Sequence, residues 1–299
     1  MDIEAERDLR DRIFVEMAGH VSMTGGTITR LELSDFPIGG GSSRRLVDQS
    51  RGIWNPKDLR GTLSVVSDPN GPYADRYDSN GLLRYSYRKY QTGSVEGDNT
   101  KLRAAMQLAL PIILLRKIET NLYMPVFPVY VIDDDARARE FLIALDEEVR
   151  VLANVADPSP ARRRYAERIA WQRLHQPEFR IRVLRAYETR CTVCTLRHRE
   201  LLDAAHIVGD RDERGEPVVP NGLSLCKIHH AAFDQNLMGI SPDGDVRINA
   251  DLLAEIDGPM LEHGLQAMHG RRITVPRRAA DHPDRSRLDQ RYQAFLTAA

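Results

Sequence analysis

The chain has 299 residues, enough for two domains, and 42% hydrophobic side chains can give each a core. Its 42 basic and 43 acidic residues leave a net charge of −1, which excludes a uniformly basic nucleic-acid coat. The longest apolar stretch, Leu108 to Leu115, is broken by Pro111 and too short to span a bilayer, and the charged start, Met1 to Asp8, is unlike a signal peptide. A soluble cytoplasmic protein is therefore expected.

In chain order, strands are predicted at Thr62–Val66, Leu82–Tyr87 and Val126–Val131, with turns at Asp68-Pro69-Asn70-Gly71 and Ser79-Asn80-Gly81. A helix is expected at Thr100–Leu108 and a strand from Pro111 to Leu115. These make residues 1–135 a β-rich, barrel-like domain. A helix over Ala136–Ala153, a linker at Asp157-Pro158-Ser159-Pro160 and helices over Ala161–His175 and Pro177–Tyr187 follow. Residues 136–178 read as a helical, Arg-rich linker and 179–299 as a second domain, whose tail, Leu252 to Leu296, carries short helices. Between Ala161 and Arg199 there are eleven arginines against three acidic residues. Such a local stripe, including Arg162, Arg163 and Arg164, can neutralise DNA phosphates although the whole chain is not basic; the alternative is a solvated helix face.

The densest chemistry lies between Cys191 and Asp234. Cys191 and Cys194 form a C-x2-C pair, and Cys226 and His229 a C-x2-H pair, which uses every cysteine of the chain. Two such pairs match a tetrahedral structural Zn2+ site. A redox role for Cys191 and Cys194 would leave the third cysteine unexplained and lacks a surrounding βαβ pattern. With all three cysteines assigned to metal, a reducing compartment follows. If His229 serves the zinc, its neighbour His230 must point elsewhere, and with His206 and Asn221 it completes a His, Asn, His set. Asn221 follows His206 by fifteen positions and His230 follows Asn221 by nine.

These words, Cys191-Thr192-Val193-Cys194, Leu202 to Ile207, Asn221 to Cys226 and His230 to Asp234, resemble the HNH endonucleases, whose core is a ββα-metal finger; the resemblance covers Phe179 to Leu237. It implies that His206 ends a strand and acts as the general base, that Asn221 pins the connecting loop and can approach the metal, and that His230 is a metal ligand on the helix. Many members carry an acidic residue or a second histidine just before the base, where this chain has Ala205. Asp234 falls one helical turn after His230 on a helix predicted over Lys227–Leu237, so the two can share a face and clamp Mg2+ or Mn2+; otherwise Asp234 pairs with a nearby arginine. An imidazole with an ordinary pKa of about 6.5 is suited to take a proton from water near neutrality.

A second resemblance spans Trp54 to Val131. Gly71-Pro72-Tyr73-Ala74-Asp75, Tyr85-Ser86-Tyr87, Asp98-Asn99 with Leu102, Pro111-Ile112, Arg116, Tyr123 and Pro128 to Val131 follow the order seen in SRA domains, PUA-like barrels that flip a modified cytosine out of duplex DNA. It implies that Tyr73 and Tyr85 sandwich the flipped base and that Asp75 and Ser86 address its Watson–Crick edge. Arg76 stands where a second acidic residue is common in that family. Two aromatic rings would restore the stacking that a flipped base loses, and a carboxylate can accept from the cytosine amino group; Tyr87 and Tyr90 fit ordinary cross-strand packing.

The expected fold class is α+β: an N-terminal SRA/PUA-like barrel, a helical linker and a zinc-braced ββα-metal domain. The expected function is a type IV-like, modification-dependent DNA endonuclease that reads 5-methyl- or 5-hydroxymethylcytosine in double-stranded DNA and cuts nearby; a homodimer would allow both strands to be cut. The alternatives are an HNH nuclease with a sequence- or shape-reading front domain acting on unmodified DNA, and a non-catalytic zinc-braced DNA-binding module.

Overall fold

The computed structural model describes residues 1–69, 76–77, 82–88, 97–153, 160–210, 212 and 214–298; for 76–77, 152–153 and 160–163 it describes the backbone alone. Tyr73, Asp75, Tyr90, the turns expected at 70–71 and 79–81 and the linker at 157–159 lie outside the described residues. The chain divides into two compact units, Met1–Pro177 and Glu178–Ala299.

The first unit is built on an eight-stranded sheet. Its strands are β1 (Ile28–Thr29), β2 (Ile53–Trp54), β3 (Ser64–Ser67), β4 (Arg76–Tyr77), β5 (Leu83–Ser86), β6 (Ile112–Glu119), β7 (Leu122–Asp135) and β8 (Glu140–Ala144). They run in the order β2-β3-β6-β7-β8-β5-β4, with β1 added to β7; β3 and β6 are parallel and the other pairs antiparallel. The sheet curls into a half-barrel: the Tyr85 hydroxyl on β5 donates to the carbonyls of Gly52 (3.2 Å) and Val66 (3.3 Å), although β6, β7 and β8 separate β5 from β3 in the sheet. Register shifts in the β6–β7 and β7–β8 pairings accompany that curl, as bulges increase local bend and twist.

Two expectations are corrected here. The helix expected over Ala136–Ala153 is instead a turn, strand β8 and only then a helix, α3 (Glu147–Ala153), because Phe141, Ile143 and Ala144 are fully buried against β5 and β7. The front of the chain also carries a long helix absent from the sequence reading, α1 (Ile3–Thr24), between α-helical caps at Asp2, whose side chain accepts from the Ala5 amide, and Gly25 in the left-handed region at φ 72°. Its buried face is Glu6, Leu9, Arg10, Ile13 and Met17, a stripe with two charges in it. The helix α2 (Asp98–Gln107) lies where a helix was expected.

Those two charges satisfy each other. Arg10 and Glu6 are both fully buried and pair at 2.7 Å. Arg10 also donates to the carbonyls of Thr62 (3.0 Å), Pro111 (2.6 Å) and Gly61 (3.2 Å), while Glu6 accepts from the amides of Arg60 (2.7 Å) and Gly61 (3.3 Å). A buried ion pair is tolerable when its remaining hydrogen-bonding capacity is filled in this way, and here it ties α1 to the two loops that enter β3 and β6.

After α4 (Pro160–Ala170) the helix widens into a π-type turn at Trp171–His175 and continues as α5 (Gln176–Ala186). The second unit holds a hairpin of β9 (Leu202–His206) and β10 (Gly222–Cys226), followed at once by α6 (Lys227–Asp234), which is shorter than the Lys227–Leu237 helix expected. A second hairpin, β11 (Met238–Ile240) with β12 (Val246–Ile248), then α7 (Pro259–Gly264) and α8 (Arg285–Ala298) complete it. Phe179, Val183 and Tyr187 of the α5 region pack on this ββα core with Leu223, Leu225 and Phe233. A Cβ on Gly222 would lie 2.4 Å from Val183 Cγ2 and 2.9 Å from Phe179 Cζ, so glycine is needed for the close approach of helix and strand rather than for a turn.

Candidate active site

The two cysteine pairs converge. Cys191, Cys194, Cys226 and His229 place their ligand atoms within 4.8 Å of one another. Cys226 Sγ lies 3.0 Å from His229 Nδ1, Cys191 Sγ 3.5 Å from the same nitrogen, and Cys194 Sγ 3.9 Å from Cys226 Sγ. Around a tetrahedral zinc with bonds of about 2.0–2.3 Å, ligand atoms stand roughly 3.5–3.8 Å apart, so the set fits that ion with only small movement. Local structure holds each piece: Cys191 N donates to Leu196 O (2.9 Å), Thr192 N to Ser224 O on β10 (2.7 Å), and Cys226 is the N-cap residue of α6. His229 Nε2–H donates to Gly264 O at the end of α7 (2.8 Å), which leaves Nδ1 as the lone-pair nitrogen facing the sulfurs. Burial would lower the pKa of His229, yet the sulfurs of Cys191 and Cys226 raise it to about 9, so the sulfurs favour a cation, a proton or a metal ion, on Nδ1. Hydrogen bonds from Cys194 and Cys226 draw the Cys191 thiol down, and Cys194 is pushed up by its contacts with Cys191 and Cys226. Sulfurs packed this closely call for a cation among them.

The same ββα unit carries the second histidine group. His206 is the last residue of β9, and its ring stacks on Phe179 with centroids 4.1 Å apart and planes 17° from parallel. Its Nε2 is buried and has no hydrogen-bond partner among the described residues. Burial is the main cause that lowers the His206 pKa, with the charges of Asp210, His230 and Asp234 acting on it as well, so the ring is a neutral imidazole at pH 7. A neutral, ring-clamped imidazole with a free nitrogen has the attributes of a proton acceptor.

Asn221 is fully buried. Its amide nitrogen donates to Val208 O (3.0 Å) and Glu216 O (3.0 Å), its oxygen accepts from Val208 N (2.9 Å), and its backbone carbonyl accepts from Ile207 N (2.9 Å). The side chain is committed to pinning the loop between β9 and β10.

His230 lies on α6 with Nε2 3.4 Å from Asp234 Oδ2 and Nδ1 3.6 Å from Asp203 Oδ2. Cis ligands of an octahedral Mg2+ or Mn2+ with bonds near 2.1 Å stand roughly 3.0 Å apart, so His230 and Asp234 fit as two ligands, with water and phosphate oxygens as the rest. Among the described residues no arginine lies at ion-pair distance from Asp234: Arg291 feels its charge, but donates to Phe233 O and Asn236 Oδ1 and covers the Phe233 ring at 4.6 Å. Ala205, at the position where an acidic ligand is common, is fully buried in the core of the unit. Asp203 and Phe179 were not singled out from the sequence. The only signal for Asp203 was its place in Leu202-Asp203-Ala204-Ala205-His206, and Phe179 read simply as an apolar helix face.

The arginine stripe is partly spent on the fold. Arg173 donates to the carbonyls of Phe127, Pro128 and Leu145; Arg180 donates to Leu202 O (2.8 Å), and Arg182 pairs with Glu178 (2.8 Å). Arg164 is exposed, and the side chains of Arg162 and Arg163 lie outside the described residues. On the proposed reading side, Tyr85 is 8% exposed with its hydroxyl bonded across the curl. Ser86, the next residue on the same strand, points to the opposite face.

Residues 191–241 match the family model described as HNH endonuclease. The segment is thus an HNH endonuclease domain, a metal-dependent nuclease that acts on DNA. No curated protein matches the chain. Solved structures that resemble it include two restriction endonucleases. One, described as a modification dependent TagI restriction endonuclease, is 15% identical over 82% of this chain and 85% of its own, with a TM-score of 0.29. The other, the Type IV phosphorothioation-dependent restriction endonuclease ScoMcrA, is 18% identical over 62% of this chain and 48% of its own, with a TM-score of 0.23. Among the described residues no helix is long and apolar enough to cross a membrane.

Proposed function

We propose that the chain is a modification-dependent DNA endonuclease that serves restriction of foreign DNA. The observation that carries the nuclease half is the convergence of His206, whose Nε2 has no partner among the described residues and whose burial favours the neutral ring, with His230 and Asp234 on one ββα unit beside the Cys3His cluster. In this reading His206 Nε2 takes the proton of the attacking water, and Phe179 keeps the ring in place while it does so. His230 and Asp234 would hold Mg2+ or Mn2+; such a cation, when bound, absorbs the charge that develops on the phosphate. Asn221 fixes the loop that follows His206, and Cys191, Cys194, Cys226 and His229 would hold Zn2+ as a brace. Exposed arginines such as Arg164 contribute phosphate contacts.

The reader half places an SRA/PUA-like function in the curled sheet. The half-barrel of the first unit and the word Gly71-Pro72-Tyr73-Ala74-Asp75 support it, with Tyr73 as the stacking ring and Asp75 at the Watson–Crick edge of a flipped 5-methyl- or 5-hydroxymethylcytosine. The burial of Tyr85 favours a second reading, in which the front domain recognises sequence or shape and the nuclease acts on unmodified DNA. Digestion of matched duplexes carrying cytosine, 5-methylcytosine or 5-hydroxymethylcytosine, with Mg2+ or Mn2+, separates them. Cutting confined to a modified duplex is the expected result. Equal cutting of all three supports the second reading, and no cutting of any leaves a zinc-braced binding module.

A further inference from the structure

His230 has a carboxylate at each ring nitrogen: Asp203 at Nδ1 and Asp234 at Nε2. An imidazole that ligates a metal is neutral and carries one proton, so it donates toward one of them and turns a lone pair on the other. A lone pair facing a carboxylate oxygen at 3.4–3.6 Å is repulsive unless a cation lies between them.

The surroundings decide which side takes the cation. Asp203 comes from strand β9, is a quarter exposed, and already has cations of the protein on it: Lys227 Nζ at 2.5 Å and Arg180 Nε at 3.8 Å. A metal at Asp203 would have to displace Lys227. Asp234 is 55% exposed, lies on the same helix as His230, and among the described residues has no lysine or arginine at ion-pair distance, Arg291 acting on it only from further away. The cation therefore belongs on the Nε2 side and the proton on the Nδ1 side.

We infer that Asp203 is the positioning residue of the catalytic cation site: held by Lys227, it keeps the His230 proton on Nδ1, so that Nε2 and the Asp234 carboxylate face a divalent metal together. This rests on the reading of His230 and Asp234 as the metal clamp. At 3.6 Å the Asp203 contact is an ion-pair distance rather than a hydrogen bond, and cation binding at Nε2 is expected to tighten it. The arrangement is the carboxylate–histidine–metal relay in which an outer carboxylate fixes the tautomer of the ligand.

The test is calorimetric titration of Mn2+, without DNA, into the full-length, zinc-loaded chain and its Asp203→Ala, Asp203→Asn and Asp234→Ala variants. Zinc content and melting temperature are read in parallel. Wild type is expected to take up one Mn2+ beyond its structural metal. Asp203→Ala should weaken that affinity roughly 10–100-fold, the usual effect of losing an outer-shell partner, with zinc content and melting temperature unchanged. Asp203→Asn, which keeps an oxygen to accept the Nδ1 proton, should recover most of the loss, and Asp234→Ala should not. Mn2+ affinity in Asp203→Ala within twofold of wild type overturns the inference. So does a loss that tracks falling zinc content, or a wild type that takes up no Mn2+. If Mn2+ binding behaves as expected and wild type still cuts no DNA, the nuclease reading fails while the role of Asp203 stands.

Discussion

His206 shows how a single side chain can be prepared for chemistry by what surrounds it. Stacking on Phe179 fixes the ring, and burial makes its protonated form unfavourable. The sign follows directly: a base works only when neutral, and a lowered pKa keeps it neutral to lower pH. The acid limb of kcat/KM for cleavage should therefore fall below the ordinary histidine value of about 6.5. A limb at or above that value would mean that His206 is not the group titrating. At the proposed reading site, Tyr73→Ala should remove stacking worth about 1–3 kcal/mol. Preference for modified over unmodified duplex should then drop roughly tenfold, since about 1.4 kcal/mol is a factor of ten. Competition binding on the two duplexes measures it, and an unchanged preference would remove Tyr73 from the account. The histidines, cysteines and Asn221 were legible in the sequence because their chemistry is tied to spacing along the chain. Asp203 and Phe179 were not, because what they do depends on residues brought to them by the fold. Tyr85 shows the same limit: an aromatic on a strand reads alike whether it lines a pocket or crosses the curl of a sheet.

Among the elements hidden from a sequence reading were α1 and β8. The stripe of α1 mixes Leu9, Ile13 and Met17 with Glu6 and Arg10, so its buried face does not stand out as apolar. The stretch before α3 carries Arg137, Arg139 and Glu140, which suit a helix, and only pairing with β5 and β7 makes Glu140–Ala144 a strand. Tertiary contact overrides local preference in both places. The Glu6–Arg10 pair makes α1 testable. Glu6→Ala leaves a buried guanidinium without its partner and should cost about 3–5 kcal/mol, measured by denaturant unfolding of the first unit's transition. Burial alone would raise the Glu6 pKa, but the Arg60 amide and Arg10 outweigh it and hold it below the usual glutamate value. Its contribution is thus complete above about pH 4.5 and is lost as pH falls through the lower, folded value. Unfolding that is insensitive to Glu6→Ala would show that α1 is held by its apolar contacts alone.

For the molecule as a whole, two units with separate cores imply two sources of stability. The second unit packs its ββα core around the Cys3His cluster, and the His229–Gly264 hydrogen bond extends that brace to α7. One tightly held zinc per chain is expected. Its removal by a strong chelator should unfold the second unit while the melting transition of the first persists, because structural zinc supplies folding free energy directly. A chelated protein that melts like the native one, or a folded protein without zinc, would contradict this. Nuclease and brace meet at α6, where His229 faces the sulfurs and its neighbour His230 faces Asp203 and Asp234. The measurement that tests this arrangement most directly is cleavage of duplex DNA by wild type and His206→Ala with Mg2+ or Mn2+, with DNA affinity and zinc content recorded for both. Loss of a general base should slow cutting by about 10²–10⁴-fold and leave DNA affinity and zinc unchanged. Cleavage by His206→Ala at the wild-type rate would contradict the assignment of this ββα unit as the cutting centre.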